Sequence, residues 1–264
     1  MKKQKNRWIV LLIGMFVIAY GLQIVYHQMT RVDEVPIIGY HHIVEDQDKE
    51  AYYKNNMWVN TLSSFEAQMK LLHDEGYHSV TMEELYQWRM GEKELDPKSI
   101  VITFDDGFYS SIYYAQPILE KYGFTGTVFV IGSQIDNNRT GYIPQKRQHA
   151  SLQDMEDVKN MEFYSHSYDL HHKKDGFKVD LLNKEELMAD TQKEKDLVSI
   201  DYYAYPYGKY NDNIQQVLQE SGTKLAFGFN ENRKAKITDD PYALPRFNVN
   251  AYTKLDVFLQ MIEK

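Results

Sequence analysis

From Val35 to Ile262, short apolar runs alternate with stretches whose apolar residues recur at helical spacing. Val35–His41 reads as a strand. Leu62, Phe65, Met69 and Leu72 then mark a helix, with Ser63 and Glu66 as its capping box and Gly76 as its stop. A short strand at Ser79–Val80 leads to Thr81, which caps a helix carrying Leu85 and Trp88. Ile100–Phe104 is a strongly apolar strand, followed by a helix over Ser110–Tyr122 and a strand over Thr125–Ile131. Ser151–Met161 is predicted helical and Glu162–His166 extended. Asn183 and Glu186 open a charged helix that leads to the strand Tyr202–Pro206. Strands at Lys224–Phe229 and Ala243–Val249 and a helix at Thr253–Ile262 complete the series. Seven or eight βα alternations without a glycine-rich dinucleotide loop predict an α/β fold, a closed or nearly closed parallel barrel. An open doubly wound sheet is the alternative. The irregular stretch 133–150 is expected to be a surface loop.

The N-terminus has a different character. Lys2, Lys3, Lys5 and Arg7 precede an uncharged run from Trp8 to Tyr26. A helix of that length rises about 28 Å, close to the hydrocarbon thickness of a bilayer. We therefore expect residues 1–30 to form a cytoplasmic basic segment and a transmembrane helix, with 31–264 as one extracytoplasmic domain. Cleavage as a signal peptide, giving a secreted protein, is the alternative.

Charge and composition narrow the chemistry. A formal net charge of −8 argues against a nucleic-acid-binding surface. The absence of cysteine excludes disulfides, thiolate zinc sites and cysteine nucleophiles. A metal would have to be held by carboxylates and some of the nine histidines.

In a parallel barrel, reactive groups collect just after the C-terminal ends of strands. The first strand ends in Tyr40-His41-His42, and the third in Thr103-Phe104-Asp105-Asp106-Gly107. The Glu162 strand runs into Ser165-His166-Ser167-Tyr168-Asp169-Leu170-His171-His172. The Tyr202 strand ends in Pro206-Tyr207-Gly208, and the last strand carries Arg246. Two adjacent carboxylates in one cleft repel unless a cation compensates them, so one aspartate can bind a metal while the other faces water or substrate. His166 and His171 with one aspartate make a two-histidine, one-carboxylate set with open positions, as a hydrolytic metal site requires. His172 is an alternative to His171. A glycosidase would need its carboxylates on opposite sides of a sugar bond, which adjacent aspartates do not provide. A non-catalytic polysaccharide-binding protein is a remote alternative.

The segments TFDDG (103–107), SHSYDLHH (165–172) and YPYG (205–208) resemble the successive motifs of the NodB-type polysaccharide deacetylases. The likeness runs from Pro36 to Phe258. It is strongest to the branch of poly-β-1,6-N-acetyl-D-glucosamine N-deacetylases, the intercellular-adhesin type, through the histidine spacing and an early Gly-Tyr-His-His strand. The resemblance implies a distorted, circularly permuted (β/α)7–8 barrel that removes N-acetyl groups from an extracellular N-acetylglucosamine polymer of the biofilm matrix. Peptidoglycan, chitin oligomers and acetylated xylan are alternative substrates. It further implies one divalent metal, zinc before cobalt or nickel, on Asp106, His166 and His171. Asp105 would be the general base, His41 the acid, and the Tyr207 amide an oxyanion donor. No histidine follows His172, so the family's late histidine motif is absent and His41 takes its place. Ala204 stands where an arginine is common, and Arg246 is expected to orient Asp105 instead. The implied partners are the polymer, the membrane through the N-terminal helix, and a polysaccharide synthase or export machinery.

Overall fold

The computed structural model describes residues 32–263, together with Phe16 and Tyr20. Apart from those two positions, the expected membrane anchor lies outside the described residues. Among the described residues no helix is long and apolar enough to cross a membrane.

The strands, in chain order, are β1 (Glu34–Val35), β2 (Ile37–Tyr40), β3 (His42–Val44), β4 (Val59–Thr61), β5 (His78–Ser79), β6 (Ser99–Phe104), β7 (Gly126–Val130), β8 (Met161–Ser165), β9 (Ser199–Ala204), β10 (Leu225–Phe227), β11 (Ala235–Lys236) and β12 (Phe247–Asn248). Every residue of β6 is buried, which requires cover on both faces of the sheet. The main sheet is parallel, in the order β10–β9–β8–β7–β6–β2–β12, and β5 pairs with β6 off that path. Side-chain alternation explains the two layers. Ile37, Val101, Phe129, Ala204, Phe227 and Leu244 belong to one apolar cluster, although their strands span the sheet. A sheet can bring these residues together only by curling around them. Their neighbours Ile38, Ile102 and Val128 face the other way, into a cluster with the helices Leu62–Asp74 and Leu255–Glu263. A third cluster joins the helices Lys184–Lys195 and Asp212–Ser221 to the outer side of β9 and β10.

The result is an α/β fold with a curled parallel sheet. A continuous closed ladder is not formed. The two ends of the sheet meet at a single parallel bridge, Phe227 to Leu244, where the Gly228 N–H donates to the Leu244 carbonyl.

Several local expectations change for physical reasons. Pro36, which has no N–H to give, separates β1 from β2 within the expected first strand. The Leu62–Asp74 helix is capped by Thr61, whose side chain accepts from Ser64 N, rather than by Ser63 with Glu66. Ser63 instead bonds Asp46. The expected helix over 110–122 begins as a π-helical turn, Ser111–Ala115, before Gln116–Tyr122 becomes α-helical. The expected helix from Ser151 to Met161 is only Leu152–Asp157. Thr81 caps its helix as expected, in a capping box completed by Glu84, and Asn183 and Glu186 open theirs in the same way.

Candidate active site

The curled sheet brings the C-terminal ends of β2, β6, β8 and β9 to one rim. There lies a cleft of about 420 Å³ whose lining includes His41, Asp105, Asp106, His166, His171 and Tyr207.

The adjacent aspartates diverge because the backbone turns between them. Asp105 N still donates to the Tyr40 carbonyl, continuing the ladder to β2. Asp106 adopts a left-handed conformation with φ 71°, so its carboxylate points elsewhere. The Asp105 carboxylate receives both arms of Arg246, Nη1 to Oδ1 at 2.7 Å and Nη2 to Oδ2 at 2.8 Å. Arg246 is fully buried and also donates from Nε to the Gly228 carbonyl and from Nη1 to Thr103 Oγ1. Burial alone would raise the Asp105 pKa. Arg246 outweighs it and holds the carboxyl at about 2.

Asp106 faces the histidines. Its Oδ1 lies 3.5 Å from His166 Nε2 and 3.3 Å from His171 Nε2, and the ligand atoms of all three residues lie within 4.8 Å of one another. That Oδ1 is buried and has no hydrogen-bond partner. Burial pushes the Asp106 carboxyl up to about 6. Such an oxygen is costly unless a cation compensates it. His166 N donates to the Val130 carbonyl, and its Nδ1 lies 2.7 Å from the Ala204 carbonyl oxygen. Nδ1–H is therefore the donor, and Nε2 keeps its lone pair toward Asp106. Burial lowers the pKa of both imidazoles, His166 to about 3, which favours the neutral form that a metal needs. The donor set fits a divalent ion. His172 does not join it. Its exposed ring bonds Asp169 at 2.8 Å instead.

His41, just past β2, lies between two aromatic rings, Trp58 at 4.8 Å and Phe229 at 5.2 Å between centroids. His42 lines the same cleft, more deeply buried. It is buried against Tyr53 and Phe108 with Nδ1 on Ser110 Oγ, and burial lowers its pKa to about 3. Tyr207 stacks on His171 with centroids 4.2 Å apart and has φ 58°. The next residue must be glycine. Gly208 has φ 67°, and a Cβ there would come within 2.7 Å of Phe229 N.

Several contributors were not visible in the sequence. Trp58 lies on a loop with no periodic signal, and Phe229, expected as the end of a strand over Lys224–Phe229, lies two residues past β10; together they form one wall of the cleft. His149, in the irregular loop, supports the Asp106 peptide through a 2.8 Å bond from Nδ1–H to its carbonyl. Asp190 accepts the amides of Tyr168 and Asp169, fixing the turn between His166 and His171. Behind it, the fully buried Glu194 lies so close to Gly132 that a Cβ there would sit 2.0 Å from Oε2. Only their setting on a charged helix, at i and i+4, hinted at such a pair.

Burial, with Asp190 adding to it, raises the Glu194 pKa from 4.5 to about 9, so the carboxyl is neutral at pH 7. A raised carboxyl pKa contributes stability below the unfolded value, and this is lost as pH rises toward the folded one. Glu194→Gln, which cannot ionise, should therefore gain melting temperature relative to wild type between about pH 5 and about pH 8. A difference that does not change with pH would mean that Glu194 is already ionised.

The chain matches the Polysaccharide deacetylase family over residues 92–226, just over half of its length. It belongs to that family and is a polysaccharide-deacetylating hydrolase. YxkH of Bacillus subtilis (strain 168) is 28% identical over 222 residues, 82% of this chain and 72% of that one. The poly-beta-1,6-N-acetyl-D-glucosamine N-deacetylase of Staphylococcus aureus (strain MSSA476) is 27% identical over 217 residues, 76% of this chain and 70% of the other. In fold, the chain is similar to the Streptococcus pyogenes deacetylase PplD, with a TM-score of 0.74 and 24% identity, covering 89% of this chain and all of that one.

Proposed function

We propose that this protein hydrolyses the N-acetyl groups of an extracellular N-acetylglucosamine polymer, poly-β-1,6-N-acetyl-D-glucosamine first among the candidates. The observation that carries the reading is the separation of the two aspartates, one locked to Arg246 and the other turned toward His166 and His171. The similarity to a staphylococcal enzyme named for that polymer supports the choice of substrate.

Asp106, His166 and His171 would hold the divalent ion, zinc before cobalt or nickel. When bound, that ion supplies Lewis acidity toward the acetamide carbonyl and the attacking water. Asp105 accepts the proton of that water. Its ion pair with Arg246 keeps it unprotonated throughout the neutral range, and each carboxylate oxygen retains a free lone pair. The Tyr207 N–H donates to the oxygen that becomes negative as the carbonyl is attacked. His41 protonates the departing amine, a poor leaving group otherwise. Trp58 and Tyr207 offer half-exposed aromatic faces to the sugar.

The basic residues before an uncharged run of nineteen, Trp8–Tyr26, support a membrane anchor that holds the domain beside the emerging polymer. Secretion after cleavage is the alternative, and membrane fractionation separates the two.

The test is to incubate purified full-length protein with zinc and the β-1,6 polymer. Acetate and free amines should appear in equal amounts, polymer length should not change, and a chelator should abolish the reaction until zinc is restored. Acetate released only from peptidoglycan, chitin oligomers or acetylated xylan would transfer the substrate assignment. Shortening of the polymer without acetate would reject the chemistry.

A further inference from the structure

The mouth of the cleft carries positive charge with no carboxylate at ion-pairing distance among the described residues. Arg147 lines both the main cleft and an adjoining pocket of about 320 Å³ on the His149 side of Asp106. Lys173 lines the main cleft, its Nζ 4.9 Å from the centroid of the Phe177 ring, and Lys209 lies over the same ring at 5.5 Å. All three are exposed, and none is within ion-pairing distance of a carboxylate among the described residues. Asp106 feels the Arg147 charge across the cleft, while other nearby acids are engaged elsewhere. Asp169 holds Lys178 and His172, and Glu231 accepts the backbone N–H groups of Phe229 and Arg246. Some cations away from the cleft are paired, among them Arg139, Arg233 and Lys224, whereas others, such as Lys159 and Lys254, have no ion pair among the described residues. Arg147, Lys173 and Lys209 thus place three cations at the cleft mouth of a chain with 38 acidic and 30 basic residues.

The reaction changes the charge of its own substrate. A neutral unit, R–NH–CO–CH₃, and water give R–NH₃⁺ and CH₃–COO⁻, so each turnover leaves an ammonium on the polymer. We propose that Arg147 and Lys173 form a charge filter that disfavours a glycan segment already carrying a glucosamine ammonium beside the acetamide in the cleft. The enzyme then leaves deacetylated units spaced apart, not in runs. This inference rests on the N-deacetylase reading of the site.

The size of the effect follows from Coulomb's law. A like charge within about 6 Å in a water-like dielectric weakens binding roughly threefold, and two such charges together roughly tenfold. Because the rim is exposed, salt should screen most of the effect. Stacking on Trp58 or Tyr207 has no comparable salt dependence.

The experiment compares two β-1,6-linked N-acetylglucosamine oligomers of equal length on zinc-loaded full-length protein. One is fully acetylated, and the other carries a glucosamine next to the unit being cleaved. The readout is the ratio of their kcat/KM values for acetate release, at about 0.02 M and about 0.5 M salt. Wild type should prefer the fully acetylated oligomer about tenfold at low salt. The ratio should fall toward one at high salt, and in the Arg147→Gln, Lys173→Gln double variant at low salt. Because each preparation is judged by a ratio, a general loss of activity cannot imitate the result. Equal handling of both oligomers by wild type, or a preference that survives both salt and substitution, overturns the filter. Turnover of neither oligomer overturns the substrate reading beneath it, and the filter with it.

Discussion

Asp105→Asn is expected to lower kcat by about 10²–10⁴-fold while the protein still binds one equivalent of zinc. The amide has nearly the shape of the carboxylate but cannot take a proton from water. It also turns an N–H₂ group toward Arg246, which has only donors to offer. Metal retention is expected because Asp105 is not among the three residues whose ligand atoms converge. Zinc titration and kinetics on the same preparation separate base from ligand. Turnover near the wild-type value would remove Asp105 as the base, whereas loss of zinc would make it part of the metal site.

Arg246→Ala should be the most destabilising of the substitutions considered. It removes four side-chain hydrogen bonds and leaves Asp105 buried without its counter-charge. Breaking one partner of a buried pair costs about 3–5 kcal/mol, which in a domain of this size lowers the melting temperature by about 6–20 °C. The sign of the pH dependence also follows. The folded pKa of Asp105 is depressed from 3.8 to about 2, so the pair contributes stability above the unfolded value and loses it as pH falls toward 2. The gap between wild type and Arg246→Ala should therefore be full at neutral pH and narrow below about pH 4. Without the guanidinium, burial raises the Asp105 pKa and the acid limb of the rate profile moves to higher pH. Arg246→Lys restores charge but not the two-armed geometry, so partial recovery is expected. Unchanged melting and unchanged kcat in Arg246→Ala would refute both the structural and the orienting role.

Much of the site was legible in the sequence because parallel strands export their chemistry to residues that directly follow an apolar run. Asp105 and Asp106 after β6, His166 after β8 and Tyr207 after β9 are all of this kind. What escaped notice depends on folding back across the chain. Trp58 and Phe229 meet around His41 from loops far apart in sequence, and no local pattern encodes their meeting. The choice of Thr61 over Ser63 as a cap follows from β4, whose pairing with β3 carries extended backbone up to Thr61. The last strand was expected over Ala243–Val249, but only Phe247–Asn248 pairs with β2. Pro245 has no N–H for a ladder, and at that point the chain leaves β10 to join β2. The π-helical turn at Ser111–Ala115 has no signature in apolar spacing.

That last crossing gives Arg246 a second significance. Phe227 and Leu244 are where the two margins of the sheet touch, and Arg246 follows immediately, grasping Gly228 with one nitrogen and Asp105 with two others. The residue that pairs with Asp105, the proposed proton acceptor, is also the clasp of the wall. Any loosening of the seam would also release the Asp105 carboxylate from its counter-charge, so strand closure and the setting of that carboxylate are one event.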